Sequence, residues 1–136
     1  MRVLGVDYGD SRIGIAVSDL LGITAQGVET ITEKDFGTQV AKVAKKAAEL
    51  GADKIVLGMP KNMDGTLGER AEKTKIFAEA LEKKSALQVT FWDERLTTAA
   101  AHRTLSEGAV SGKKRKGILD TLSAVFILQG YLDSLN

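Results

Sequence analysis

The sequence of 136 residues contains no cysteine and only one histidine, His102. Without cysteine the chain has no disulfide framework, no thiolate metal site and no cysteine nucleophile. His102 falls in a segment with a helical pattern, where a surface or packing role is commoner than that of a general base. Cysteine chemistry and a serine triad are therefore poor candidates for the function of this chain.

Long apolar runs and a large excess of charge are also missing. No apolar run approaches the roughly 18 residues that a membrane span requires, and Asp7 interrupts the segment where a signal peptide would be apolar. We therefore expect a cytoplasmic protein with no membrane partner. The 19 basic and 18 acidic residues leave a net charge of +1, so no global field indicates nucleic-acid binding.

Length and composition predict one globular domain over residues 1–136, with enough apolar side chains for a single core. The turn Gly9-Asp10-Ser11 separates two short β-branched runs, which indicates a hairpin. Strand and helix patterns then follow at 28–32 (strand), 36–50 (helix), 54–59 (strand), 71–81 (helix), 87–92 (strand), 97–107 (short helix) and 118–135 (helix). Because a crossover helix joins the last two strands, we expect them to be parallel, in an α/β fold with a five-stranded mixed sheet flanked by helices.

Acidic residues end two of these strands. Asp7 closes the first strand, where α/β proteins often place ligand-binding groups, although it could instead cap the turn that follows. Asp93 and Glu94 close the fifth strand and point to opposite faces of the sheet. We favour Glu94 as the functional residue, while helix capping explains either acid equally well.

A third acid, Asp120, is predicted in the first turn of the final helix, where stabilisation of the helix dipole is the simpler explanation. If Asp7, Glu94 and Asp120 converge, however, their oxygens could hold Mg²⁺ or Mn²⁺. Two such ions can activate water and stabilise the leaving oxygen in phosphodiester hydrolysis. The sequence therefore offers a hypothesis of a metal-dependent nuclease with no histidine base.

The densest basic run is Lys113, Lys114, Arg115 and Lys116, between Gly112 and Gly117. Its glycines predict a flexible loop. A solvated surface loop is the simpler interpretation of such a run when it is taken alone.

Five segments in the same order resemble the YqgF, or RuvX, family of RNase H-like nucleases. They are VLGVDYG at 3–9, GIAVSD at 14–19, GMPKNMDGT at 58–66, DERLTT at 93–98 and LDTLSAVFILQGYL at 119–132. The resemblance covers nearly the whole chain. It implies the three-layer RNase H-like fold and a catalytic metal site at Asp7, Glu94 and Asp120.

The resemblance also implies 5′-end maturation of pre-16S rRNA in ribosome biogenesis, with resolution of Holliday junctions as the alternative activity. The expected partner is nucleic acid, either pre-rRNA or branched DNA, together with ribosomal particles. The residues predicted to contact the substrate are Gly9, Lys61, Asn62, Arg95 and the basic run Lys113, Lys114, Arg115 and Lys116.

Two other functions remain open at this point. A sugar-kinase or actin-like ATPase also uses an Asp-x-Gly turn, but it needs a second domain to enclose ATP. A nucleic-acid-binding module for ribosome assembly would keep the fold without cleaving. The sequence does not distinguish a monomer from a weak homodimer, since no interface can be identified in it.

Overall fold

A computed structural model describes residues 1–62, 64–94 and 112–135, and for 112–118 it describes the backbone alone. In chain order the elements are β1 (Val3–Tyr8), β2 (Arg12–Ser18), β3 (Ala25–Thr32), α1 (Phe36–Glu49), β4 (Lys54–Met59), α2 (Glu69–Ser85), β5 (Val89–Asp93) and α3 (Gly112–Ser134). No helix in these ranges is both long and apolar enough to cross a membrane. The predicted helix at 97–107 lies outside the described residues.

The five strands form one sheet in the order β3-β2-β1-β4-β5. The first three strands are antiparallel neighbours, whereas β1 and β4, and then β4 and β5, pair in parallel. The predicted mixed sheet is therefore confirmed, as is the parallel pairing of the last two strands. The carboxyl ends of β1, β4 and β5 lie along one edge of the sheet, because parallel strands share their direction.

The helices α1 and α2 cover one face of the sheet. Their apolar stripes bury the larger of two cores, and Phe77 at its centre is fully enclosed. The Tyr8 ring stacks on Phe77, with ring centroids 4.1 Å apart. Burying a side chain of this size contributes about 1.5 to 3 kcal/mol. Asp35 caps the start of α1 by accepting a hydrogen bond from the Thr38 amide at 2.9 Å.

The helix α3 covers the other face and buries a smaller core. Its residues Ala124, Ile127 and Leu128 are completely enclosed against the sheet. Trp92, at the edge, packs edge-on to Tyr131. The helix α3 lies mainly across β1, β2 and β3, with fewer contacts to β4 and β5, so it covers the antiparallel half of the sheet.

Two predictions about α3 are wrong. The basic run Lys113 to Lys116 is helical, not a loop, because α3 begins at Gly112. Lysine and arginine favour helix, and adding turns to an existing helix costs little, so the glycines at its start do not stop it. Asp120 consequently lies in the third turn and not the first. The helix dipole therefore no longer explains its position.

The third strand begins three residues before the predicted start at Val28. A β-bulge between Ile15 and Ala16 in the β2 register leaves Val28 without a partner, since Ile15 pairs with Glu29 and Ala16 with Gly27. The bulge interrupts the alternation on which the prediction depended.

Candidate active site

Asp7 lies near the carboxyl end of β1 on the face that α3 covers. Its partner in the antiparallel ladder is Gly14 of β2. On its other side runs β4, where the parallel register, Val6 with Leu57, places Gly58 beside Asp7. With a glycine in each neighbouring strand, no side chain from β2 or β4 stands directly beside Asp7, and the helix α3 and Glu94 occupy that space instead.

Glu94 follows the last residue of β5, and its amide donates to the Met59 carbonyl at 3.3 Å. This bond continues the parallel ladder past the strand and fixes the direction of the Glu94 side chain. That side chain reaches over Gly58 and forms a hydrogen bond with Asp7. The structure therefore brings the first two predicted acids into contact, whereas Asp93 lies 3.9 Å from Lys61 Nζ.

Asp120 approaches the same edge of the sheet from α3. Its Oδ2 accepts a hydrogen bond from Arg12 Nε at 3.0 Å, in an ion pair that is partly exposed. Its negative charge also acts on Asp7. Asp120 is thus next to the Asp7 and Glu94 pair, but within the described residues its carboxylate is bound to Arg12 and not to either acid.

The close approach of α3 depends on a row of glycines, which we call the glycine row: Gly5, Gly14, Gly27 and Gly58, one in each of β1 to β4. A methyl group at Gly14 would collide with the Asp120 carbonyl, and one at Gly58 would collide with the Glu94 carboxylate and with Ile127. At Gly5 it would lie 2.7 Å from Leu128 Cβ. These positions have no side chain because the helix backbone and the acids occupy that space.

Burial and mutual repulsion raise the pKa of Asp7 well above its ordinary value. Loss of water is the largest cause, followed by the negative charges of Glu94 and Asp120. Burial also raises the pKa of Glu94 and, against the opposing effect of Arg12, that of Asp120. Because Asp7 and Glu94 act on each other, they bind and release protons as a coupled pair.

Arg70, in the first turn of α2, is a cation that sequence reasoning missed. Its Nη2 donates to the Tyr8 carbonyl at 3.0 Å, and its Nη1 lies 3.4 Å from Asp10 Oδ1. From there its positive charge lowers the pKa of both Asp7 and Glu94. Arg12 was missed as well. Arg12 directly follows the turn Gly9-Asp10-Ser11 and Arg70 lies two residues after Gly68, and this closeness to a turn or loop is the only signal in the sequence that could have drawn attention to them.

The structure places three of the predicted substrate-binding residues, Gly9, Lys61 and Asn62. Gly9 forms the tight turn of the hairpin, where a methyl group would lie 2.7 Å from the Arg12 carbonyl. Lys61 lies beside Asp93 at the carboxyl edge of the sheet. Asn62 stabilises its own loop, since its side-chain amide donates to Thr66 Oγ1 at 3.0 Å. Arg95 and the side chains of the basic run lie outside the described residues, so all these contacts stay predictions.

The family model described as "RuvX: Holliday junction resolvase" matches residues 1–134. The chain belongs to the RuvX family. This confirms the resemblance found in the sequence, and because the family is one of nucleases, it also confirms the expectation of a hydrolase acting on nucleic acid.

Relatives of this RuvX chain match over its whole length. A protein of Listeria innocua is 53% identical over 140 residues, covering 100% of both chains, and carries the name "Putative pre-16S rRNA nuclease". A protein of Clostridium tetani with the same name is 50% identical, over 99% of this chain and 98% of its own.

Solved structures support the predicted RNase H-like fold. Thermus thermophilus RuvC, in complex with a Holliday junction substrate, covers 100% of this chain and 96% of its own, with a TM-score of 0.61 and 14% identity. The Holliday junction resolvase of fowlpox virus covers 100% of both chains, with a TM-score of 0.60 and 16% identity. At such identities the likeness concerns the fold alone.

The carboxylate oxygens of Asp7 and Glu94 in this RuvX chain are ligands of the kind that a hard divalent cation prefers. Two adjacent, partly buried carboxylates are a donor set whose charge an ion such as Mg²⁺ would balance. Across residues 1–62, 64–94 and 112–135, however, no three acids already stand close enough to enclose an ion. Asp120 would complete the set only by exchanging the Arg12 guanidinium for the cation.

Proposed function

We propose that this RuvX-family chain is a divalent-metal-dependent endonuclease whose catalytic residues are Asp7, Glu94 and Asp120, within a single domain formed by residues 1–136. The observation that carries the proposal is the hydrogen-bonded contact of two partly buried carboxylates, Asp7 and Glu94, at the carboxyl edge of the sheet. A structural role does not explain this pair, because Glu94 makes Asp7 harder to ionise and burial raises the pKa of both acids. Groups with strongly perturbed pKa values are typical of active sites.

The residues around the pair have different roles in the proposed hydrolysis of a phosphodiester. Bound Mg²⁺ or Mn²⁺ would supply Lewis-acid activation of water and stabilisation of the leaving oxygen. Asp7 and Glu94 would hold the cation, and Asp120 would be a third ligand if it were released from Arg12. Arg12 is then free to take a phosphate oxygen, for which a guanidinium is well shaped. Arg70 keeps the end of β1 in place and offsets part of the acidic charge.

The substrate that we propose is the 5′ region of pre-16S rRNA. The support is the name shared by relatives that are about half identical to this chain from end to end. The phosphate backbone would be held by Lys61, at the carboxyl edge of the sheet, and by the basic run at the start of α3. Such contacts position a nucleic acid without reading its sequence.

The proposal is tested by cleavage of a precursor 16S RNA with Mn²⁺ or Mg²⁺, using purified wild type and the Asp7→Asn variant. Wild type should cut in the presence of either ion and stop when EDTA is added, and Asp7→Asn should be inactive. The matched control is Asp53→Asn, a surface acid far from the edge that carries Asp7, which should cut normally. Cleavage by Asp7→Asn at the wild-type rate would refute the assignment of the site.

A second candidate is resolution of Holliday junctions, favoured by the description of the family model and by the fold shared with RuvC. Symmetric resolution needs two sites in register, so this function predicts a homodimer on the junction, whereas RNA cleavage is compatible with a monomer. A synthetic four-way junction assayed beside the RNA, with sedimentation of the complex, separates the two functions. Paired symmetric cuts by a dimer would favour the junction.

A further inference from the structure

A groove opens on the opposite face of the sheet from Asp7, at the same edge. It has a volume of about 280 Å³ and lies between the start of α1 and the first turns of α2, with Tyr8 at its base. Because Tyr8 directly follows Asp7, the two side chains point to opposite faces. A nucleic acid bound at Asp7 can therefore reach the groove by crossing the end of a single strand.

The floor of the groove is apolar and partly exposed. Phe36 is 41% exposed and Ile76 is 59% exposed, although each lies beside a fully enclosed core. Phe36 packs edge-on against Phe77, with centroids 6.2 Å apart, and Phe77 stacks in turn on Tyr8. The exposed ring of Phe36 is thus held in place by a buried ring, Phe77, and presents an aromatic surface to solvent.

The rim of the groove is basic. Lys34 lies on one side and forms no ion pair with any described residue, and Lys73 lies on the other side, 3.8 Å from Asp10. The nearby acids are already engaged, because Asp10 also contacts Arg70 and Asp35 caps α1. The available charge at the rim is therefore positive, which suits a phosphate backbone.

The back wall is rigid. Gln39 is buried, and its amide donates to the carbonyls of Asp10 and Glu33 at 2.8 and 2.7 Å. Its oxygen accepts from the Tyr8 hydroxyl at 3.2 Å. Every polar group of this side chain is thus in use, so the wall has a fixed shape and leaves recognition to the aromatic floor and the basic rim.

We propose that this groove binds one base of a single-stranded segment beside the bond that is cut, with the base stacked on Phe36 and the adjoining phosphates near Lys34 and Lys73. An aromatic platform within a basic groove is the usual means of binding single strands without sequence preference. The volume suits one base, since it lies just below the range of sites for larger ligands, roughly 300 to 1,000 Å³. This inference rests on the proposed function, because it assumes that the bound nucleic acid reaches Asp7.

The test measures binding by fluorescence anisotropy with labelled duplexes that are blunt or carry a single-stranded overhang, made as RNA and as DNA. EDTA and the Asp7→Asn background prevent cleavage. In that background Phe36→Leu should weaken binding of the overhang by about tenfold relative to the blunt duplex, as expected for the loss of one stacked base. Phe36→Trp should restore the preference, and quenching of its added indole fluorescence by the overhang would report stacking directly.

The matched control is Phe91→Leu, which changes a second phenylalanine of similar exposure, 39%, outside the groove. It should leave the preference for the overhang as it is. Equal losses for blunt and overhanging duplexes, equal effects of the two leucine variants, or no loss at all would each overturn the inference. A loss confined to RNA or to DNA would identify which single strand the groove accepts.

The two proposals can fail separately, because binding is measured without cleavage. If wild type cuts no substrate but the dependence on Phe36 holds, the groove stands and the catalytic proposal falls. If precursor RNA is cut and Phe36→Leu leaves the preference unchanged, the groove falls and the catalytic proposal stands.

Discussion

The two faces of the sheet are lined by different kinds of residue. Between the sheet and the helices α1 and α2, the core is filled by large side chains such as Leu4, Ile15 and Phe77. Between the sheet and α3 lie the glycine row and the three acids. The first face supplies most of the apolar burial. The second face buries less apolar surface, and its glycines let a helix and three carboxylates come close together. Stability and chemistry are thus separated by a single layer of strands.

This comparison predicts that the largest loss of stability will come from the face without the acids. Phe77→Ala removes a fully enclosed ring that both Tyr8 and Phe36 contact, and it should lower the free energy of unfolding by about 3 to 5 kcal/mol. Urea denaturation measures the change. Phe91→Ala, which removes a partly exposed ring, should cost far less, and equal losses for the two variants would contradict this division.

On the α3 face, a single methyl group should damage activity more than folding. Gly14→Ala forces the added carbon against the Asp120 carbonyl, so α3 must shift, at a cost of about 1 to 3 kcal/mol. The shift moves Asp120 away from Asp7 and should abolish cleavage while most of the protein is still folded.

The control for that variant is Gly37→Ala in α1. A methyl group there meets only Asp35 Oδ2 at 3.6 Å, an ordinary contact. It should keep activity and leave stability equal or slightly raised, because alanine favours helix over glycine. Full activity of Gly14→Ala would show that the glycine row does not position the site.

The smallest effect concerns pH. The pKa of Asp7 is raised in the folded chain, so folding favours the protonated acid, and stability without metal should fall as pH rises from about 4, the unfolded value, through the folded pKa. Asp7→Asn removes this penalty and should raise the free energy of unfolding at pH 7.

Thermal unfolding in EDTA across this pH range measures the effect. The gain should shrink as the pH falls toward 4, where the wild-type acid is protonated. Adding Mn²⁺ should reverse the order by stabilising wild type at pH 7 more than the variant. A variant less stable than wild type at pH 7 in EDTA would contradict the assigned repulsion.

Much of the fold could be predicted because it depends on local patterns. The hairpin at Gly9, the parallel strands ending at Met59 and Asp93, and the helix from Phe36 all follow from apolar periodicity and turn residues. The start of α3 could not be predicted, since Gly112 and Gly117 signal a loop locally and the helix is stabilised by packing further along. The β-bulge at Val28 hid the start of β3 for a similar reason.

The candidate site was less accessible to prediction than the fold. The ends of strands indicated Asp7 and the neighbours Asp93 and Glu94, and alternation along β5 placed the last two on opposite faces without deciding between them. Arg12 and Arg70 were missed because an arginine after a turn is usually a surface residue. Their partners, Asp120 and Asp10, are known only once α3 and α2 are placed on the sheet.

The sequence by itself determined the order of strands and helices, the family, and the presence of acids at the ends of two strands, because each depends on residues that are close together in the chain. Only the tertiary structure decided that Asp7 and Glu94 share a hydrogen bond and that Asp120 is held by Arg12. These contacts join residues more than 80 positions apart. Their geometry depends on how closely α3 packs on the glycine row, and no local pattern encodes that distance.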